Sequence, residues 1–264
     1  MLALIVMALC LTPTTASLAQ DSSETYSLQR TILVEERTAI WCESCAEIDP
    51  ELATVARSHG SRTAIVGLHV SDSFENDAVR ARIEYQNQTD PEPYGTPTFF
   101  VDGVKTAQGY GAWSDVQKRI LTQENNREAP ENLEMIFDGT DVELPIPESG
   151  QITLMVLEHE KLVPEGESNP GEKTRDRVLI GMEVMDSFGN KSSYGDLDLP
   201  ELWSLIMIHE PVEGGEPYGV VEITNQVFDS DGDENLLAIV ALCILLGALL
   251  VFIPQKISLN NEEE

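Results

Sequence analysis

The period of the hydrophobic pattern changes near residue 130, and no other feature limits so strongly what this chain can fold into. Before that point, short apolar runs alternate with stretches of helical spacing. "TILVE" (31–35) reads as a buried strand. "CAEIDPELATVARSH" then places Ile48, Leu52, Val55 and Ala56 on one helical face, with His59 and Gly60 as a stop and Pro50 as an expected kink. "TAIVGLHV" predicts a second buried strand, and "FENDAVRARIEYQNQ" a second helix. "GTPTFFVDGVKTAQG" predicts a hairpin turning at Asp102-Gly103, a dipeptide that tolerates the positive φ of tight turns. "AWSDVQKRILTQEN" follows as an amphipathic helix, with Trp113, Val116, Ile120 and Leu121 sharing a face. Beyond the polar "NNREAPEN", only short strands recur: "LEMIF", "QITLMVLEHE", "DRVLIGMEVMD", "LWSLIMIHE" and "GVVEITNQVF". Gly-, Pro- and Asp-rich turns separate them, the pattern of a β-sandwich.

Two apolar runs fence this material. "MLALIVMALCLTPTTASLAQ" has the layout of a secretory signal with cleavage after Ala19 or Ala16, although no Lys or Arg precedes its apolar part. "LLAIVALCILLGALLVFI" (236–253) is 18 residues without a charge, about the minimum for a helix that crosses a bilayer. The expected order is a signal peptide (1–19), a first domain (28–125), a β-sandwich (131–228), an acidic stalk (229–235), a transmembrane helix (236–253) and a short tail (254–264). That order implies a single-pass protein of the cell membrane with its N-terminal domains extracytoplasmic, held through the C-terminal helix.

Charge excludes one class of partner. Asp and Glu number 46 against 16 Lys and Arg, a formal net charge of -30, which repels phosphate backbones. Nucleic acid is therefore not expected as a partner. The carboxylates are spread along the chain, as on a solubilising surface, and name no specific docking face.

Cysteine placement is more informative. Of four cysteines, Cys10 falls in the expected signal and Cys243 in the expected membrane helix, leaving Cys42 and Cys45 of "WCESC". These two can pair only with each other or with another molecule. Three readings stand: a redox pair, half of a metal site, or an inert clip. A zinc site would have to draw further ligands from His59, His69, His159, His209 or carboxylates, and no histidine pair has finger spacing. A bridge closing so short a loop stabilises little, which disfavours the clip.

The segment from about residue 28 to 125 resembles the thioredoxin-like superfamily. Its Cys-x-x-Cys follows a buried strand and opens a helix, Pro50 stands five residues after Cys45, and "GTPTFFVDG" is similar to the loop whose proline is cis in that family. Together with the strands that follow, the chain is similar to secreted thioredoxin-fold proteins that carry a second, β-sandwich domain. The fold class so implied is an α/β thioredoxin-like domain, an all-β sandwich of the immunoglobulin/fibronectin-like kind, and a C-terminal transmembrane helix. Two departures stand out: Ala46 replaces the usual proline after the second cysteine, and Glu43-Ser44 separates the thiols.

The resemblance implies a thiol-disulfide oxidoreductase that needs no cofactor or metal and acts on protein thiols and disulfides, with an unidentified redox donor or acceptor. Cys42 at a helix start would be the nucleophile, since backbone N–H groups there favour the thiolate over a thiol of pKa about 8.5. Cys45 would resolve the mixed disulfide. Glu36 matches the buried acid that assists that step, with Glu35 as competitor because strand alternation turns only one inward. Trp41, Thr96 and Pro97 would bind substrate, Thr96 through its backbone. Glu43 beside the nucleophile disfavours its thiolate, which leans toward a reductant or mild exchanger. The alternative is a non-catalytic surface or assembly protein that uses the same domains for binding.

Overall fold

The computed structural model describes residues 23–59, 62–91, 94–126 and 129–226. They run through β1 (Glu24–Ser27), β2 (Ile32–Thr38), α1 (Glu43–His59), β3 (Thr63–His69), α2 (Asp77–Gln86), β4 (Thr98–Val101), β5 (Val104–Gln108) and α3 (Trp113–Asn126). Strands alone follow: β6 (Glu134–Phe137), β7 (Val142–Glu143), β8 (Gln151–Glu158), β9 (Lys161–Leu162), β10 (Thr174–Arg175), β11 (Val178–Asp186), β12 (Lys191–Gly195), β13 (Trp203–Glu210) and β14 (Gly219–Thr224).

Local chemistry accounts for the early elements. β2 and β3 are buried along their whole length and pair in parallel from Ile32 opposite Thr63 to Thr38 opposite His69, with α1 as the crossover. A parallel pair needs such a connection, and burial on both faces suits its apolar runs. Asn76 caps α2 by accepting from the N–H groups of Ala78 and Val79. The turn between β4 and β5 has Asp102 at φ 49° and Gly103 at φ 68°, which Asp and Gly tolerate best. Asp102 also accepts from Leu33 N–H at 2.9 Å and from Gln123 Nε2 at 3.2 Å, fastening the hairpin to β2 and α3.

The strands of both halves enter one nine-stranded sheet, ordered β14-β13-β8-β11-β3-β2-β4-β5, with β12 beside the later part of β11. The junction is a short parallel contact: Val178 lies opposite Gly67, whose N–H donates to Arg177 O at 2.8 Å. A side chain at Gly67 would meet that same carbonyl at 3.3 Å, so a small residue lets the two strands approach. One face of the sheet buries Leu33, Val66, Leu68, Val79, Met155, Leu157 and Ile206 in a single core that spans the junction. The opposite face is covered by α1 and α3 over Ile32, Val34 and Phe99, and by a small β1-β6-β7 sheet over Ile152, Leu154 and Met207. Each large side chain so buried contributes about 1.5–3 kcal/mol, and sharing them across the junction makes the two halves one body.

These findings correct the expected fold class. The described residues form not an α/β thioredoxin-like domain beside an independent immunoglobulin/fibronectin-like sandwich but a predominantly β structure, fourteen strands against three helices, built on a shared sheet. The physical reason is that β11 pairs with β3, a contact between residues far apart in the chain that hydrophobic periodicity cannot reveal. The single-pass membrane placement, with extracytoplasmic N-terminal domains, is corrected as well: no helix among the described residues is long and apolar enough to cross a membrane. The stretches read as signal peptide (1–19), acidic stalk (229–235), transmembrane helix (236–253) and tail (254–264) lie outside the described residues.

Candidate functional site

Cys42 is the residue that caps α1. Its carbonyl accepts from Ala46 N–H at 3.1 Å, and its sulfur accepts from Cys45 N–H at 3.2 Å, the third residue of the helix. A side-chain acceptor in that position meets one of the unpaired donors of the first turn and sits at the positive end of the helix dipole. Cys42 and Cys45 are joined by a disulfide, with Cα atoms 5.3 Å apart. Both are buried, at 5% and 1% exposure, in a small cluster with Ala39. Glu43, between them, is exposed.

The loop before the cysteines is held from two sides. Ile40 N–H donates to Asp72 Oδ2 at 2.7 Å, and Ile40 O accepts from Arg175 Nη2 at 3.2 Å. Asp72 in turn meets His69 Nδ1 at 2.8 Å and accepts from Phe74 N–H at 2.8 Å. Burial opposes ionisation of Asp72, but the His69 hydrogen bond and the two backbone donors hold its carboxyl below the usual carboxylate range. Trp41 is 46% exposed, and its indole N–H donates to Ser71 O at 3.1 Å, so it is a surface residue with an anchored ring.

A cavity of about 590 Å³ opens on the inner side of α1. Glu36 reaches it from β2, Ala46 and Asp49 from α1, His69 from β3, Arg175 from β10 and Arg177 from the turn before β11. The Glu36 carboxyl is buried, and its Oε1 has no hydrogen-bond partner. Burial, with the negative Asp49 adding to it, pushes Glu36 well above the usual carboxylate range, while a Thr38 hydrogen bond and the charge of Arg175 pull the other way. Burial raises Asp49 too, against the opposing pull of Arg175 and His69.

The choice between Glu35 and Glu36 resolves differently from simple alternation, since both are buried. The sheet is covered on both faces: Glu35 pairs with Arg82 of α2 on one, and Glu36 faces the cavity on the other. The Thr96-Pro97 bond is cis, with Thr96 half-buried and Pro97 buried at the entrance to β4. Asp49, Asp72 and Arg175 escaped the sequence reading. An Asx turn at "SDSF" was the available signal for Asp72; for Arg175 there was none. Ser204, His159 and Asp176 form a hydroxyl–imidazole–carboxylate row, at 2.8 and 2.6 Å, that resembles a hydrolytic triad. Ser204 has no exposed surface, so no substrate reaches it and the row serves as buried hydrogen bonding.

No protein-family profile matches the sequence, and no curated protein matches it. Among solved structures, HBP35 of Porphyromonas gingivalis is similar, with a TM-score of 0.51 and 15% identity over 78% of this chain and 81% of that one. The Agrobacterium tumefaciens protein AGR_C_4864 aligns with a TM-score of 0.48 and 12% identity over 75% of this chain and 96% of that one. At these identities the likeness to HBP35 is one of fold, spread over most of both chains.

Proposed function

We propose that this protein is a thiol-disulfide oxidoreductase, acting on protein disulfides through Cys42 and Cys45. One observation carries the reading: the Cys42 sulfur stands at the cap of α1, bonded to Cys45 and accepting its N–H. In the reduced form, that donor and the helix terminus favour the Cys42 thiolate. The thiolate attacks a substrate disulfide, forming a Cys42–substrate bond and releasing the first substrate sulfur as a thiolate. Glu36, as carboxylate, takes the Cys45 proton. The Cys45 thiolate then attacks Cys42 Sγ, the mixed bond breaks, and the second substrate sulfur leaves. Two electrons pass to the substrate, and the pair ends as the disulfide seen here. A dithiol donor, unidentified, returns it to the reduced state.

Trp41 offers an exposed apolar edge beside the pair, and Thr96 and Pro97 are assigned to the substrate strand. Glu43 opposes the thiolate, though weakly from its exposed position, and so gives the pair a slight lean toward reductant or mild exchanger. The competing reading is a binding module with an idle disulfide. Replacing Cys45→Ser separates them: exchange predicts partners trapped on Cys42 as mixed disulfides that a reductant releases. Wild-type-like binding with no covalent adduct sinks the enzyme reading.

A further inference from the structure

We propose that Arg175, on the arm formed by β9 and β10, is a positioning residue for the resolving step: it grips the peptide ahead of Cys42 and places a positive charge beside Asp49 and Glu36. The inference rests on the thiol-exchange reading above and adds a residue more than a hundred positions along the chain to that site.

Arg175 is 5% exposed and spends its donors on a tightly specified seat. Nη2 donates to Ile40 O at 3.2 Å and to Asn169 Oδ1 at 2.6 Å, and Nη1 donates to the carbonyls of Glu172 at 2.7 Å and Thr174 at 3.0 Å. Nε lies 3.6 Å from Asp49 Oδ2. The contacts therefore bracket the cysteine pair, with Ile40 two residues before Cys42 and Asp49 four after Cys45. Gly171 brings the arm in close: a Cβ there would stand 2.9 Å from Arg175 Nη2 and 3.0 Å from the Ala46 Cβ. The absence of a side chain at Gly171 and the small Ala46 together make room for the guanidinium.

Among the charges around the cavity, Arg175 pulls hardest on Asp49, ahead of His69. Glu36 faces it from β2, Asp49 from α1, His69 from β3, and Glu172, Asp176 and Arg177 from the arm and its continuation. Arg177 is committed to Glu222 at 2.7 Å, His69 to Asp72 at 2.8 Å, and Asp176 to His159 at 2.6 Å. Without a cation, the buried Glu36 beside the half-buried Asp49 would hold its proton, and a protonated Glu36 cannot take one from Cys45. Arg175 shifts that balance toward the carboxylate.

The test follows resolution alone. Reduced protein is mixed with a symmetric aromatic disulfide whose thiol absorbs in the visible, and the second release, Cys45 displacing the thiol bound to Cys42, is timed between pH 5 and 9. Arg175→Gln is expected to slow that release about tenfold at pH 7 and to move its pH profile upward, since both carboxyls keep their protons longer. Arg175→Lys, which keeps the charge, returns the profile toward wild type. Asp49→Asn removes the negative neighbour of Glu36 and moves the profile downward; it serves as the test where Arg175→Gln does not fold. An unmoved profile in Arg175→Gln and Asp49→Asn, with a uniform loss of rate at every pH, overturns the proposal and leaves a packing role. A wild-type protein that releases no second thiol overturns the exchange reading itself, and this proposal with it.

Discussion

Arg82 supports the sharpest stability prediction. It is 1% exposed on α2 and holds two buried acids: Nε and Nη2 donate to Glu35 at 2.5 and 3.2 Å, and Nη1 donates to both Glu210 oxygens at 2.8 and 2.9 Å. Its guanidinium carbon lies 4.6 Å from the Tyr85 ring centroid. Glu35 belongs to β2 and Glu210 to β13, so one cation ties a helix to strands from both halves of the sheet. Arg82→Leu keeps much of the aliphatic packing but strands two carboxylates in the interior. Removing one member of a buried ionic cluster costs about 3–5 kcal/mol, and leaving two like charges together puts this case near 5 kcal/mol at pH 8. The combined variant Arg82→Leu, Glu35→Gln, Glu210→Gln carries no stranded charge and is expected to lose about 1–2 kcal/mol, the cost of unsatisfied amides. Denaturant unfolding of the full chain measures both. A loss below about 1 kcal/mol at pH 8, or a combined variant no more stable than the single one, refutes the argument.

Two further outcomes are expected. Gly103→Ala places a Cβ 2.0 Å from Gly215 O at a residue with φ 68°, and should cost about 3 kcal/mol or more in denaturant unfolding; Gly109→Ala, at φ 81° with open space around it, should cost only about 1 kcal/mol. Glu36, whose carboxyl is raised by burial, contributes stability that is complete in acid and lost as pH rises through its folded value. Glu36→Gln should accordingly gain on wild type between pH 5 and pH 9 in thermal melts while resolving mixed disulfides more slowly. A constant difference across that range would show that the Glu36 carboxyl is not raised in the folded protein.

Much of the local structure was legible because it depends on near neighbours. Helical spacing after Cys42, the turn residues Asp102 and Gly103, and the β-branched runs that became β2, β3, β8 and β13 act within a few positions of themselves. The cysteines at the helix start were legible for the same reason. The two-sided burial of Glu35 and Glu36 was not, because alternation assigns faces to residues without saying whether each face is covered. Nor was the membrane placement, inferred from terminal stretches that lie outside the described residues.

By itself, then, the sequence determined which residues turn, cap and alternate, and brought two thiols one helical turn apart. Only the tertiary structure decided that Val178 would meet Gly67, that Arg175 would reach back to Ile40 and Asp49, and that Arg82 would sit between acids from two distant strands. The reason is physical. Spacing and propensity are properties of a short window of chain, whereas a shared sheet and a buried charge depend on which distant surfaces exclude water together.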